Sequence, residues 1–127
     1  MNNNTQISKA QIIDVFKKNL TDFLDDLIIL LSYDPKLVIV RHVLLAFPLD
    51  KVLDTFADRI LPYKDMVLKR DENFFINETS DIFDGIHPTE VGYFKNIWLS
   101  DKVSDADKQE IWNWFNVFLR IAMKWRE

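Results

Sequence analysis

The sequence predicts an all-α fold, an irregular bundle of five or six helices in which the first and last are the longest. Three observations carry this. Apolar residues recur at three- and four-residue steps over long stretches near both ends of the chain. Only two glycines occur in 127 residues, few for a sheet-rich fold or a glycine-loop nucleotide site, so helices joined by Pro, Asp and Asn turns are favoured. Ser-x-x-Gln and Ser-x-x-Asp pairs stand where the two long helices would begin.

In chain order, residues 1–6 read as a flexible tail. Ser8 and Gln11 have capping-box spacing, and Ile7 and Ile12 stand where a hydrophobic staple would form. Ile12, Phe16, Leu20, Phe23, Leu27 and Leu31 then make one apolar stripe, with Asp14, Asp22 and Asp25 on the other side. Leu27 to Leu31 is apolar all round, so this end is expected to run into the core. Tyr33-Asp34-Pro35 is a stop and restart, with Asp34 as cap and Pro35 in the next first turn. Leu37 to Phe47 is Val/Leu-rich and could be a strand by propensity. The Pro-initiated start and the lack of turn residues for a partner strand favour helix.

Pro48 breaks that element and seeds another. Leu49, Val52, Leu53, Phe56, Ile60 and Leu61 form its stripe, and Asp50, Asp54 and Asp58 stay outside it. Pro62 ends or kinks the helix, and Tyr63 to Lys69 adds two short turns. Asp71 to Ile86 is the least regular stretch, with Phe74, Phe75 and Ile82 expected to anchor it. Pro88 starts a short helix through Leu99 with Val91, Phe94, Ile97 and Trp98 on its apolar face. Ser104 and Asp107 open the last helix. No repeat or linker is visible, so residues 1–127 read as a single helical domain, a length at which about two thirds of the unfolded surface is buried.

Composition narrows the chemistry. There is no cysteine, which excludes disulfides and thiolate metal sites. A net charge of −4 spread along the chain argues against a nucleic-acid partner. Leu27 to Tyr33 and Val43 to Leu49 are far shorter than the roughly 20 apolar residues of a membrane span. The start MNNNTQ has neither a basic region nor an apolar core, so no signal peptide is expected. His42 and His87 lie far apart, with no pair of ligands at helical spacing, so no metal is expected. His42 reads as a partly buried structural residue. Asp22, Asp25 and Asp26 read as a solvated acidic face. No phosphate loop occurs, and no cofactor is expected.

The final helix is apolar over roughly 200–240° of its circumference, against about 100° for a helix with one neighbour. Asn113, Asn116, Arg120 and Lys124 form the polar stripe. Ile111, Phe115, Phe118 and Ala122 hold the centre. Trp114, Ile121 and Trp125 line one flank, and Trp112, Leu119 and Met123 the other. Either neighbours pack on both flanks, the favoured reading, or one flank is left for a partner chain, since Trp is enriched at interface hot spots. In the second case Trp98, Trp112, Leu119 and Met123 are the expected partner-facing residues.

Two resemblances stand beside this reading. Asp84-Gly-Ile-His87-Pro resembles the Asp-x-x-His-Pro block that closes the active site of SGNH hydrolases. There the Asp orients the His and the His activates a serine, roles that would fall to Asp84 and His87. The family's Gly-Asp-Ser turn and Gly-x-Asn-Asp block are absent, the parallel sheet has no room, and two of five serines, Ser8 and Ser104, are accounted for as caps. The plain reading is a turn at Asp84-Gly85 before a helix-starting proline. Secondly, Pro62 to Asn77, Asn96 to Val103 and Lys108 to Trp125 together resemble small α-helical proteins encoded by large nucleocytoplasmic DNA viruses. They share the proline-tyrosine-lysine segment, the acidic pair with two phenylalanines and the aromatic Ile-Trp helix. That resemblance implies a viral protein in the virion or in the cytoplasm of the infected cell.

The function expected from the sequence is therefore a non-enzymatic protein-interaction or assembly subunit, virion-associated, with a protein partner or self-association. The alternative is a small regulatory adaptor bound to a host or viral enzyme. A degenerate SGNH-like hydrolase is the remote alternative.

Overall fold

A computed structural model describes residues 8–78 and 93–127, and every regular element among them is helical. Helix α1 spans Lys9–Leu30, α2 Pro35–Ala46, α3 Leu49–Ile60, α4 Lys64–Lys69, α5 Tyr93–Leu99 and α6 Asp105–Trp125. A 3₁₀ turn at Leu61–Tyr63 joins α3 to α4, and a π-helical turn covers Phe74–Glu78. The expected all-α architecture with long outer helices is the observed one. The tail at 1–6, Ile7 of the staple, Ile82, Val91 and the Asp84-to-Pro88 block lie outside the described residues, as do the side chains of Phe75 and Phe94.

Local chemistry sets the helix starts. Ser8 Oγ accepts from the Gln11 amide (3.1 Å), and Gln11 Oε1 accepts from the Ser8 amide (2.8 Å). Ser104 and Asp107 repeat the exchange, with both distances 3.1 Å. Each box satisfies amides that the first turn leaves without a helical partner. Asp34 Oδ1 caps the Lys36 amide at 3.0 Å and Pro35 occupies the first helical position. The stretch with strand propensity is thus a helix, as its Asp-Pro start indicates. Pro62 sits in the 3₁₀ turn, where the missing N–H and the ring end α3.

The α1–α2 turn is unusually tight. Ser32 and Tyr33 both take left-handed backbone angles, with φ of 57° and 62°. The Tyr33 amide reaches back to the Ile28 carbonyl at 2.7 Å, closing the end of α1 in the manner of a Schellman motif. Neither residue is glycine, so each β-carbon costs about 1–2 kcal/mol in that conformation. Arg70, the third such residue (φ 54°), ends α4. Its guanidinium donates to Gln109 and to Asn113 Oδ1 (2.7 Å), tying α4 to α6.

Helix α6 runs through the middle, against α1, α3, α4 and the 3₁₀ turn. Phe118 meets Phe16, Phe23 and Phe56 edge-on at 5.4–6.1 Å, so one ring joins α1 and α3 to α6. On the other side Phe74 packs on Phe115 (5.6 Å) and Trp112 (6.2 Å), and Trp98 packs edge-on against Trp112 at 5.6 Å. Such pairs add about 0.5–1.5 kcal/mol each beyond the area they bury. Trp114 donates its indole N–H to Asp26 (3.1 Å), which draws that half-buried carboxylate inward from the acidic face expected for it. Among the described residues, no helix is long and apolar enough to cross a membrane.

Candidate interaction surface

The expected partner flank of α6 is covered by its own chain. Trp98, Trp112 and Leu119 are only 2%, 2% and 1% exposed, and Met123 alone, at 38%, reaches solvent. Of the expected partner-facing residues Trp98, Trp112, Leu119 and Met123, the first three are thereby corrected to core residues, and only Met123 keeps an accessible side chain. The physical reason lies in the segments between α4 and α6. Phe74 from the π-helical turn and Trp98 from α5 close over Trp112. The wide apolar arc of α6 is therefore met by neighbours on both flanks.

Among the described residues, Val15 of α1, Leu68 of α4 and Leu99 of α5 are each exposed, but the largest set of exposed apolar side chains lies on α2 and at its two ends. That helix is apolar nearly all round, with Lys36 and Arg41 its only formal charges, yet only Leu37 and Leu44 are buried. At about 100° per residue, Pro35, Val38, Ile39, His42 and Ala46 converge on one outward face that has no formal charge when His42 is neutral. Val38 is 46% and Ile39 50% exposed, and His42 and Ala46 are exposed too. His42 therefore faces solvent, contrary to the partly buried role expected of it, because the face of α2 that packs inward is the one carrying Leu37 and Leu44.

Neighbouring elements extend this face. Arg41 Nε pairs with Asp25 Oδ1 at 2.7 Å, which fixes the register of α2 against α1. One helical turn beyond Asp25 comes Ile29, and one turn before Arg41 come Leu37 and Val38, so Ile29 falls at the level of Leu37 and Val38 along the antiparallel pair. Ile29 is 63% exposed. Tyr33, in the strained turn ahead of α2, is 67% exposed, and Phe47, just past its end, is 52% exposed. With about 150–250 Å² for a whole aromatic side chain and less for Val or Ile, the exposed fractions of these five residues sum to about 400–600 Å² of apolar surface. That matches the largest patches found on monomers, which are often functional.

Other features are structural. Phe23, Leu27, Leu31, Leu37, Ile97, Trp98, Ile111 and Phe115 line an apolar cavity of about 30 Å³, which gives a bound water or polar ligand little to hold. At the chain ends, Lys9 Nζ lies 4.1 Å over the Trp125 ring and also donates to the Trp125 carbonyl. The Trp125 indole donates to Asp54 (3.1 Å), while Arg126 pairs with Asp58 (2.7 Å) and Asp54 (3.2 Å). The hydrogen bond to Asp58 holds the Arg126 guanidinium even more firmly protonated than usual. Because arginine is charged at any ordinary pH, that shift makes no physiological switch.

Among the described residues, no three His, Cys, Asp or Glu side chains are grouped to hold a metal ion. Ser8 and Ser104 cap helices as expected, whereas Asp84 and His87 lie outside the described residues. No protein-family model matches the chain, and no curated protein or solved structure matches it.

Proposed function

We propose that this protein is a non-enzymatic interaction subunit of a viral assembly, with the outer face of α2 as its contact surface. The observation that carries the reading is the uncharged, solvent-facing set Val38, Ile39, His42 and Ala46, continued by Ile29, Tyr33 and Phe47. A surface helix whose only role was structural would place charge on its outer face, as α3 does with Asp50, Asp54 and Asp58. Interface cores are instead depleted of charge and enriched in Tyr, Phe and other aromatics. Two left-handed residues at the α1–α2 turn add to this, because the backbone accepts a conformational cost where it presents Tyr33 to solvent.

The viral setting rests on the resemblance carried by Pro62 to Asn77, Asn96 to Val103 and Lys108 to Trp125. The test is to fractionate particles and infected-cell lysate, with wild-type protein and with the Val38→Glu/Ile39→Glu variant. The proposal predicts wild-type protein in particles at fixed stoichiometry, and a variant that melts like wild type yet is lost from them. Wild-type protein confined to lysate, at equal stoichiometry with one soluble enzyme, would favour the adaptor reading instead.

A further inference from the structure

We infer that the occupant of the α2 face is a second copy of the same face, paired antiparallel across a two-fold axis near His42. This rests on the reading of α2 as the contact surface and names its partner. An isologous contact requires a surface complementary to itself: if residue i meets j, then j meets i. The α2 face meets that condition in three ways. Its bulky residues Val38 and Ile39 lie toward one end and the small Ala46 toward the other, so antiparallel pairing sets bulk against space. An exposed aromatic stands at each end, Tyr33 before the helix and Phe47 after it. Antiparallel pairing about His42 sets Val38 against Ala46 and brings Tyr33 of one copy to within about one helical turn of Phe47 of the other at both ends, whereas parallel pairing leaves Ala46 facing Ala46. Finally, although the chain carries a net charge of −4, the face itself has no Asp, Glu, Lys or Arg, so with His42 neutral two copies meet there without like charges in the seam.

Area sets the strength. Helix α2 has 12 residues and is about 18 Å long. Buried completely, two patches of about 400–600 Å² amount to about 800–1,200 Å², around the lower bound of about 1,000 Å² for a specific interface. The dimer is accordingly weak and reversible, formed where the local concentration is high, as within an assembly.

The experiment is sedimentation equilibrium of the isolated protein across a concentration series, with His42→Glu, with His42→Lys, and with the two variants mixed. Wild type should dimerise reversibly. Each variant alone should raise the dissociation constant at least tenfold, since like charges meet at the axis, and the equimolar mixture should restore association as a heterodimer. Because the chain has no cysteine, His42→Cys supplies a second readout: it should oxidise to a disulfide-linked dimer, and Val15→Cys on α1 should not. A wild type monomeric at the highest attainable concentration, a dimer indifferent to both charges, or a mixture without rescue would overturn self-pairing. Those results leave the contact role of α2 to the particle fractionation, which uses a different substitution and readout.

Discussion

Replacing Trp112 with alanine separates a core helix from an interface helix. Trp112 is 2% exposed and touches both Trp98 and Phe74. An indole buries about 150–250 Å², which at about 25 cal/mol per Å² corresponds to about 4–6 kcal/mol of transfer free energy. Alanine retains part of that, and the surroundings relax only in part, so the expected loss is about 3–5 kcal/mol. Against a total of about 5–15 kcal/mol for an ordinary domain, the variant should be marginally folded. Urea unfolding followed by far-ultraviolet circular dichroism measures the difference, with Trp112→Phe as a milder companion expected to lose less. A loss below about 1 kcal/mol for the alanine variant would mean that Trp112 is not enclosed. The central placement of α6 would then be wrong.

Other substitutions probe the parts separately. Ile39→Ala, at an exposed position, should change stability by no more than about 0.5 kcal/mol, and a loss above 2 kcal/mol would show that α2 is buried there. Ser32→Gly should relieve the left-handed backbone and stabilise by about 0.5–1 kcal/mol, read as a rise in melting temperature; a fall would contradict the turn geometry. Ser104→Ala removes the side-chain acceptor of the Asp107 amide and should cost about 1 kcal/mol by urea unfolding, with no change expected if the capping box is absent. Asp54→Ala breaks the exposed contacts to Trp125 and Arg126 and should cost at most about 1 kcal/mol; a loss several times larger would make that clasp a major tie.

What the sequence revealed followed the range of the interactions concerned. The capping boxes at Ser8 and Ser104 could be read because their partners lie three residues away. The stripe from Ile12 to Leu31 could be read because burial on one face imposes the helical period. The fate of Trp112 could not, since it depends on Phe74, 38 residues earlier, and on Trp98 reaching the same flank. Nothing local distinguishes a tryptophan covered by its own chain from one covered by another. The open face of α2 did leave a signal. A 12-residue helix apolar nearly all round needs neighbours on every side to be enclosed, and in α2 only Leu37 and Leu44 find them, so the mixture of Val and Leu without a clear stripe is where apolar surface remains. Its side chains show no preferred face by period alone, so the sequence does not separate a partly buried His42 from the solvent-facing one observed.

The most direct test of the central claim, that α2 rather than α6 meets the partner, is the thiol reactivity of single-cysteine variants in a cysteine-free chain. Ile39→Cys, Val15→Cys and Met123→Cys would be compared in dilute isolated protein and in native assemblies. The account predicts that all three react readily in isolation and that only the thiol at position 39 becomes protected on assembly. Protection at position 123 with position 39 still reactive would return the interface to α6 and contradict it.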